Sequence, residues 1–178
     1  MASVLATRAS ARAQCVPRGE REELLELAKG LTDLIHLGRG DPDLDTPKVI
    51  VDAAIQALKK GYTHYTHWAG LPELRRAIAR KLLEDNGLHY DPESEIVVTT
   101  GGQEAINVIF QGLLDPGDEV LIADPFYTSY ENAVRLAGGT MRYVPTYEEY
   151  NFVLQPDILK EYITPKTKVL VIVSPNNP

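Results

Sequence analysis

At 178 residues, with 44% hydrophobic and 24% charged side chains, the chain has the composition of an ordinary globular domain and the length for a sizeable core. A net charge of −7 argues against the basic face of a nucleic-acid binder. The longest apolar run, Val169-Leu170-Val171-Ile172-Val173, is strand-sized, far below the roughly 18–20 residues that cross a bilayer. One cysteine, Cys15, rules out an internal disulfide framework and a Cys-rich zinc site, and the plain expectation is a reducing, cytoplasmic location.

The first nineteen residues carry Arg8, Arg12 and Arg18 and no acid before Glu20, which suits either a flexible N-terminal arm or a transit peptide. Residues 20–30 predict a short amphipathic helix closed by Gly30. Residues 34–37 predict a short strand ahead of the irregular Gly38-Arg39-Gly40-Asp41-Pro42-Asp43. Pro47 suits the first turn of a helix whose Val49, Ala53, Ala54, Ala57 and Leu58 share a face until Gly61. The next helix starts near Pro72, carries Leu74, Ile78 and Leu82, and stops at Asn86-Gly87.

After Asp91-Pro92 strands and helices alternate. Residues 95–100 predict a strand, and Ala105, Ile106, Ile109, Phe110 and Leu113 mark a helical stripe ending at Asp115-Pro116-Gly117-Asp118. Residues 119–123 predict a strand, 128–137 a helix stopped by Gly138-Gly139, and 140–145 and 168–173 two more strands around a short helix at 156–162. Units of this spacing predict an α/β fold with a mainly parallel sheet flanked by helices.

In such sheets ligands sit beyond the carboxyl ends of strands, where loops enter helices. Gly101-Gly102-Gln103 occupies such a place: two glycines let backbone approach a phosphate, and the helix start offers free N–H groups. The same pair serves equally as a tight turn, and neither a dinucleotide fingerprint nor a Walker loop is present. Tyr127, after Asp124-Pro125, either presents a flat face to a planar ring or packs the loop with Phe126 and Tyr130. Asn177 has an amide to donate, or is only a turn residue before Pro178. His36, His64, His67 and His89 include a pair three apart, but no acidic or Cys partner sits at ligand spacing, so no metal site is expected.

Six segments occur together in one order. They are Gly38–Asp43, Tyr65 with Gly70-Leu71-Pro72-Glu73-Leu74-Arg75, Gly101-Gly102-Gln103, Asp115-Pro116-Gly117-Asp118-Glu119-Val120, Pro125-Phe126-Tyr127, and Ser174-Pro175-Asn176-Asn177-Pro178. From about residue 20 to 178 this resembles the N-terminal portion of the class I/II aminotransferases, fold-type-I enzymes dependent on pyridoxal 5'-phosphate. The resemblance implies an N-terminal arm and part of a small domain in 1–45, and the first part of a large cofactor-binding domain, with an incomplete sheet, in 46–178.

It implies further that the backbone of Gly101, Gly102 and Gln103 holds the cofactor phosphate, that Tyr127 stacks on the pyridine ring, and that Asn177 donates to the phenolic oxygen beside the substrate. Tyr65 corresponds to the tyrosine that reaches the phosphate of a neighbouring subunit's cofactor, implying a homodimer, and Gly40 to the glycine beside the substrate carboxylate. Asp124-Pro125 and Asn177-Pro178 correspond to cis peptides. The Schiff-base lysine lies downstream of the Asn-Asn-Pro turn in this family, so no catalytic residue is assigned within 1–178, and this portion alone is expected to be inactive. Lys166 and Lys168 precede the last strand and do not replace it. The implied activity is transfer of an amino group between an α-amino acid and a 2-oxo acid. A β-lyase of the same fold and a non-catalytic aminotransferase-like fragment are the alternatives, and neither a nucleic-acid nor a membrane partner is expected.

Overall fold

Strand–helix alternation after residue 100 builds the layered part of this protein. The structure, a computed structural model, describes residues 8–16, 24, 26–31, 33–35, 40 and 42–177. They fall into two compact units, one of residues 1–19 with 100–178 and one of residues 20–99.

In the first unit, strands β1 (Glu119–Asp124), β2 (Thr140–Pro145) and β3 (Thr167–Val171) form a wholly parallel sheet in the order β2-β1-β3. The unit also contains helices α1 (Ala11–Gln14), α4 (Gly102–Leu113), α5 (Ser129–Ala137) and α6 (Pro156–Tyr162). Central strand β1 is covered on both faces. Val120 and Ile122 pack with Phe110 and Leu114 from the α4 end and Ala133, Val134 and Ala137 of α5. Leu121, of opposite parity, is 1% exposed on the other face. Right-handed crossovers in this strand order put α5 and α6 on opposite faces. Consistent with that, Leu159 of α6 lines one groove with Ala123 and Leu170.

Chain punctuation sets the element ends. α5 closes in a Schellman motif, with Gly138 at φ +90°, its N–H on Arg135 O at 3.0 Å and the Gly139 N–H on Val134 O at 3.0 Å. A Cβ at Gly139 would lie 2.8 Å from Leu114 Cδ1 and 3.0 Å from Val134 Cγ1, so a larger residue there would force these side chains to shift. β3 ends two residues earlier than its apolar run predicts, since Ile172 and Val173 have left the ladder toward the Pro175 turn. At the amino end of the strands Lys168 bridges Asp118 at 2.8 Å and Asp115 at 3.4 Å. Its hydrogen bond lowers the Asp118 carboxyl pKa, and Asp118 raises that of Lys168 in turn. In the arm, Ser10 caps α1 and Arg12 donates to Leu136 O at 3.2 Å. Arg18 lies outside the described residues.

The second unit is helical. α2 (Lys48–Lys59) and α3 (Pro72–Asn86) run as their apolar spacing predicts, although Pro47 caps α2 rather than entering it. Pro72 opens α3 and left-handed Gly87 closes it, with the Gly87 and Leu88 N–H groups returning to Leu83 and Leu82 carbonyls. Arg75 is the one residue of α3 that is buried, at 3% exposure. Its guanidinium donates to Pro92 O at 2.5 Å, Glu93 O at 3.3 Å and the Glu93 carboxylate at 3.3 Å. Asp91 shapes that turn by accepting from Ser94 Oγ and Glu93 N, which lowers its carboxyl pKa, the Ser94 bond first.

Residues 95–100 are not a strand, contrary to their β-rich composition. Ile96 is buried and Val97 exposed, the expected alternation, but among the described residues the segment does not join the β2-β1-β3 sheet. Val98 N instead bonds Ala69 O at 3.0 Å. Gly70, at φ +96°, permits this approach, since a Cβ there would sit 2.7 Å from Val98 Cβ. Of the helix expected over 20–30, Leu24 and residues 26–28 are helical and most of the others lie outside the described residues. Leu34 and Ile35 are not in a strand, and the rest of that expected strand, His36 and Leu37, is likewise outside them.

Candidate active site

The strand order places a crevice at the carboxyl ends of β1 and β3, where the chain leaves β1 toward β2 on one side and returns to β3 on the other. Open parallel sheets bind ligands at such a reversal. Three loops of the first unit converge there. β1 passes through a cis Asp124-Pro125 peptide into Phe126 and Tyr127, and β3 runs on to a cis Ser174-Pro175 peptide and Asn176. Asn176 Nδ2 donates to Pro125 O at 3.0 Å and ties the two strand ends together. The Ser174-Pro175 bond lies three residues before Asn177-Pro178, whose expected cis geometry falls on Pro178, outside the described residues.

The third loop opens α4. Gly101 stands at φ +79° as its N-cap, and the first internal bond, Ala105 N to Gly101 O, is 3.4 Å. The N–H groups of Gly102 and Gln103 precede that bond and point out of the helix start, where the dipole favours an anion. The Glu104 carboxylate turns back to accept from Thr100 N, satisfying a donor just ahead of the helix. A Cβ added at Gly101 or Gly102 would meet no protein atom within 4 Å. The backbone is thus open to a small ligand group, and a phosphate dianion fits its donors.

Tyr127 flanks this start. Its hydroxyl accepts from Gln103 Nε2 at 2.8 Å, and the same amide reaches Ser129 Oγ at 2.7 Å. The ring is 38% exposed and meets Tyr130 edge-on at 6.3 Å and 86°, leaving a face for a planar ligand. Phe126 stacks on Tyr143 of β2 at 5.3 Å and 18°. Tyr143 donates to Glu131 at 2.7 Å, and its phenol pKa is raised, by burial first and then by that carboxylate. Arg135 holds the same Glu131 oxygen at 2.6 Å, which raises its own pKa.

Of the residues singled out from sequence, Gly101, Gly102, Gln103 and Tyr127 are brought together in one unit, with Asn177 exposed on the chain next to Asn176. Gly40 and Tyr65 belong to the other unit, where Tyr65 is fully exposed. Ser129, Asn176 and the Gln103 side chain were not foreseen. Their partners lie 26, 51 and 24 residues away, and no local pattern announces such pairs. His67 is spoken for, its Nδ1 accepting from Ala69 N at 3.1 Å. Among the described residues no three His, Cys, Asp or Glu side chains are grouped to hold a metal ion, and no helix is long and apolar enough to cross a membrane.

This arrangement has close counterparts among known proteins. Residues 32–178 match the family described as aminotransferase class I and II. The aspartate/prephenate aminotransferase of Thermus thermophilus is 48% identical over 154 residues, covering 86% of this chain and 40% of its own length. Aromatic-amino-acid aminotransferase 2 of Thermococcus litoralis is 45% identical over 169 residues, covering 95% of this chain and 43% of that protein. The solved structure of the Thermus thermophilus aspartate aminotransferase with maleate superposes with a TM-score of 0.88 at 44% identity, over 96% of this chain and 45% of that one. The chain therefore spans less than half the length of these relatives. With a family match over most of its residues and the fold in agreement, the chain belongs to the class I and II aminotransferases.

Proposed function

We propose that the intact protein is a pyridoxal-phosphate-dependent aminotransferase that moves an amino group between an α-amino acid and a 2-oxo acid. The observation that carries this reading is the first turn of α4, with open glycines at its start and Tyr127 tied across it by Gln103. The N–H groups of Gly102 and Gln103 would hold the cofactor phosphate, Tyr127 would lie against the pyridine ring, and Asn177 would donate to the phenolic oxygen. Gly40 would leave room for the substrate carboxylate. When bound, pyridoxal phosphate supplies an electron sink for the pair left at the substrate Cα when its proton departs. Lys168 takes no part, because it is paired with Asp118 at the opposite end of the strands. The attaching lysine is assigned outside residues 1–178.

The reading extends to assembly and organisation. Residues 1–45 would be an arm and part of a small domain, and 46–178 the first part of the large one. Tyr65, wholly exposed, would reach the cofactor phosphate of a second copy in a homodimer, and the uncovered apolar stripe of α2 supports such a contact. A charge-assisted phenol-to-phosphate hydrogen bond is worth about 1.5–3 kcal/mol, so Tyr65→Phe would weaken cofactor retention about tenfold or more. A cytoplasmic location and a place in amino-acid metabolism complete the proposal, supported by the lone Cys15 and the relatives' names. These aminotransferase names do not favour the β-lyase or non-catalytic alternatives. The test is to mix full-length protein and pyridoxal phosphate with a panel of α-amino acids that includes aspartate and tyrosine. Appearance of the pyridoxamine spectrum together with the matching 2-oxo acid supports the reading, and no conversion of any amino acid refutes it.

A further inference from the structure

The Gln103 side chain does something its backbone does not. An amide nitrogen carries two hydrogens, and both are used here, on Tyr127 Oη at 2.8 Å and Ser129 Oγ at 2.7 Å. Its main chain is held separately, because Gln103 O accepts from Asn107 Nδ2 at 2.9 Å. Tyr127 itself is held loosely, more than a third exposed, with Tyr130 as its ring neighbour. A phenol oxygen lies on the axis about which the ring spins, so a tether there fixes where the ring points without fixing its plane. The edge-on contact with Tyr130, at 86°, limits the plane. Direction and plane are thus set by two different residues.

We propose that Gln103 is a positioning residue, whose side-chain amide aims the Tyr127 ring across the start of α4 and so pre-organises the planar face of the site. This deepens the cofactor reading above and rests on it for the identity of the ring that Tyr127 meets. It separates two jobs on one residue: the Gln103 N–H faces the anion, and the Gln103 amide faces the aromatic.

The test uses full-length protein with Gln103→Met, which keeps the length of the side chain and removes its donors, Tyr127→Phe, which keeps the ring and removes the acceptor, and the double variant. Each single change is expected to raise the pyridoxal phosphate dissociation constant about three- to tenfold, and the double change no further than the larger single one. Inorganic phosphate, titrated by phosphorus NMR, should bind wild type and Gln103→Met equally, because the Gln103 side chain is not among its donors. In a ligand-free crystal structure of Gln103→Met the Tyr127 ring should leave its wild-type direction. Multiplying effects in the double variant, a parallel loss of phosphate binding, or an unmoved Tyr127 ring would each overturn the proposal. If wild type binds no pyridoxal phosphate, the cofactor reading fails, and the position of the Tyr127 ring alone decides the role of Gln103.

Discussion

The two units bury their apolar residues in different ways. In the sheet unit, β1 is closed on both faces: α4 and α5, within about twenty residues on either side in sequence, cover Val120 and Ile122, and Leu121 is buried on the other face. In the helical unit, α2 is amphipathic but none of its residues is buried, with Val49 at 74% exposure and Leu58 at 63%. α3 buries an arginine rather than a leucine. A strand–helix–strand unit carries its own cover in sequence, whereas a lone amphipathic helix presents a stripe and waits for a surface. The loops that carry Gly101, Gly102, Gln103, Tyr127 and Asn177 rise from the self-covered unit, which suits a site that must hold its geometry, while Tyr65 belongs to the helical one.

The sharpest way to break this contrast is a pair of truncations in the intact protein. Phe110→Ala opens a cavity in the closed core and should cost about 3–5 kcal/mol, read as a large fall in thermal midpoint. Leu58→Ala should cost under about 1 kcal/mol when the protein is dilute, and more at concentrations where a second copy covers α2. Comparable losses at all concentrations would mean that α2 is not the uncovered element described here.

The helical unit does have one internal anchor, and Arg75→Met probes it. Removing the guanidinium leaves the Pro92 and Glu93 carbonyls without their donor and should cost about 1–3 kcal/mol. Amide exchange should quicken at 91–95 and leave β1 unchanged. Faster exchange across β1 would show the two units to be one cooperative body.

The smallest effect is in acid. Asp118 in one unit and Asp91 in the other both have lowered carboxyl pKa values, from Lys168 and from Ser94 respectively. A depressed carboxyl favours the folded state above its unfolded pKa of about 3.9, and that preference is lost as pH falls through the lower folded value. Asp118→Asn and Asp91→Asn should therefore each lower stability slightly at pH 7, where the ionised carboxyl contributes, and flatten the loss below about pH 4. A steeper acid limb in either variant would contradict the assignment. Both groups are solvent-facing, so the effect should shrink further in salt.

How much of this was legible in the sequence follows the range of the interactions. Helices α3 and α6 are punctuated locally, by Pro72 and Asn86-Gly87 and by Pro156, and their bounds read directly. β1 and β2 are apolar runs between turns and read as well. Residues 95–100 carried a strand's composition, but a strand exists only with a ladder partner, and Val98 N bonds Ala69 O instead. The α4 stripe was read one turn too broadly: Ile106 and Phe110 enter the core, while Ile109 and Leu113 remain exposed. In the site, Gly101-Gly102 marked the start of a helix. The Gln103 amide and the Asn176 tie to Pro125 are contacts made only once the sheet has folded.

The central claim is that the start of α4 is a phosphate cradle, and Gly102→Ala tests it most directly. In a helix the Cβ leans toward the N-terminus, so a methyl at Gly102 enters the space that an anion would take while touching no protein atom within 4 Å. Pyridoxal phosphate would be titrated into full-length wild type and Gly102→Ala, alongside the thermal midpoint of each without ligand. The account predicts unchanged midpoints and a dissociation constant raised about tenfold or more in the variant. Equal dissociation constants would contradict it.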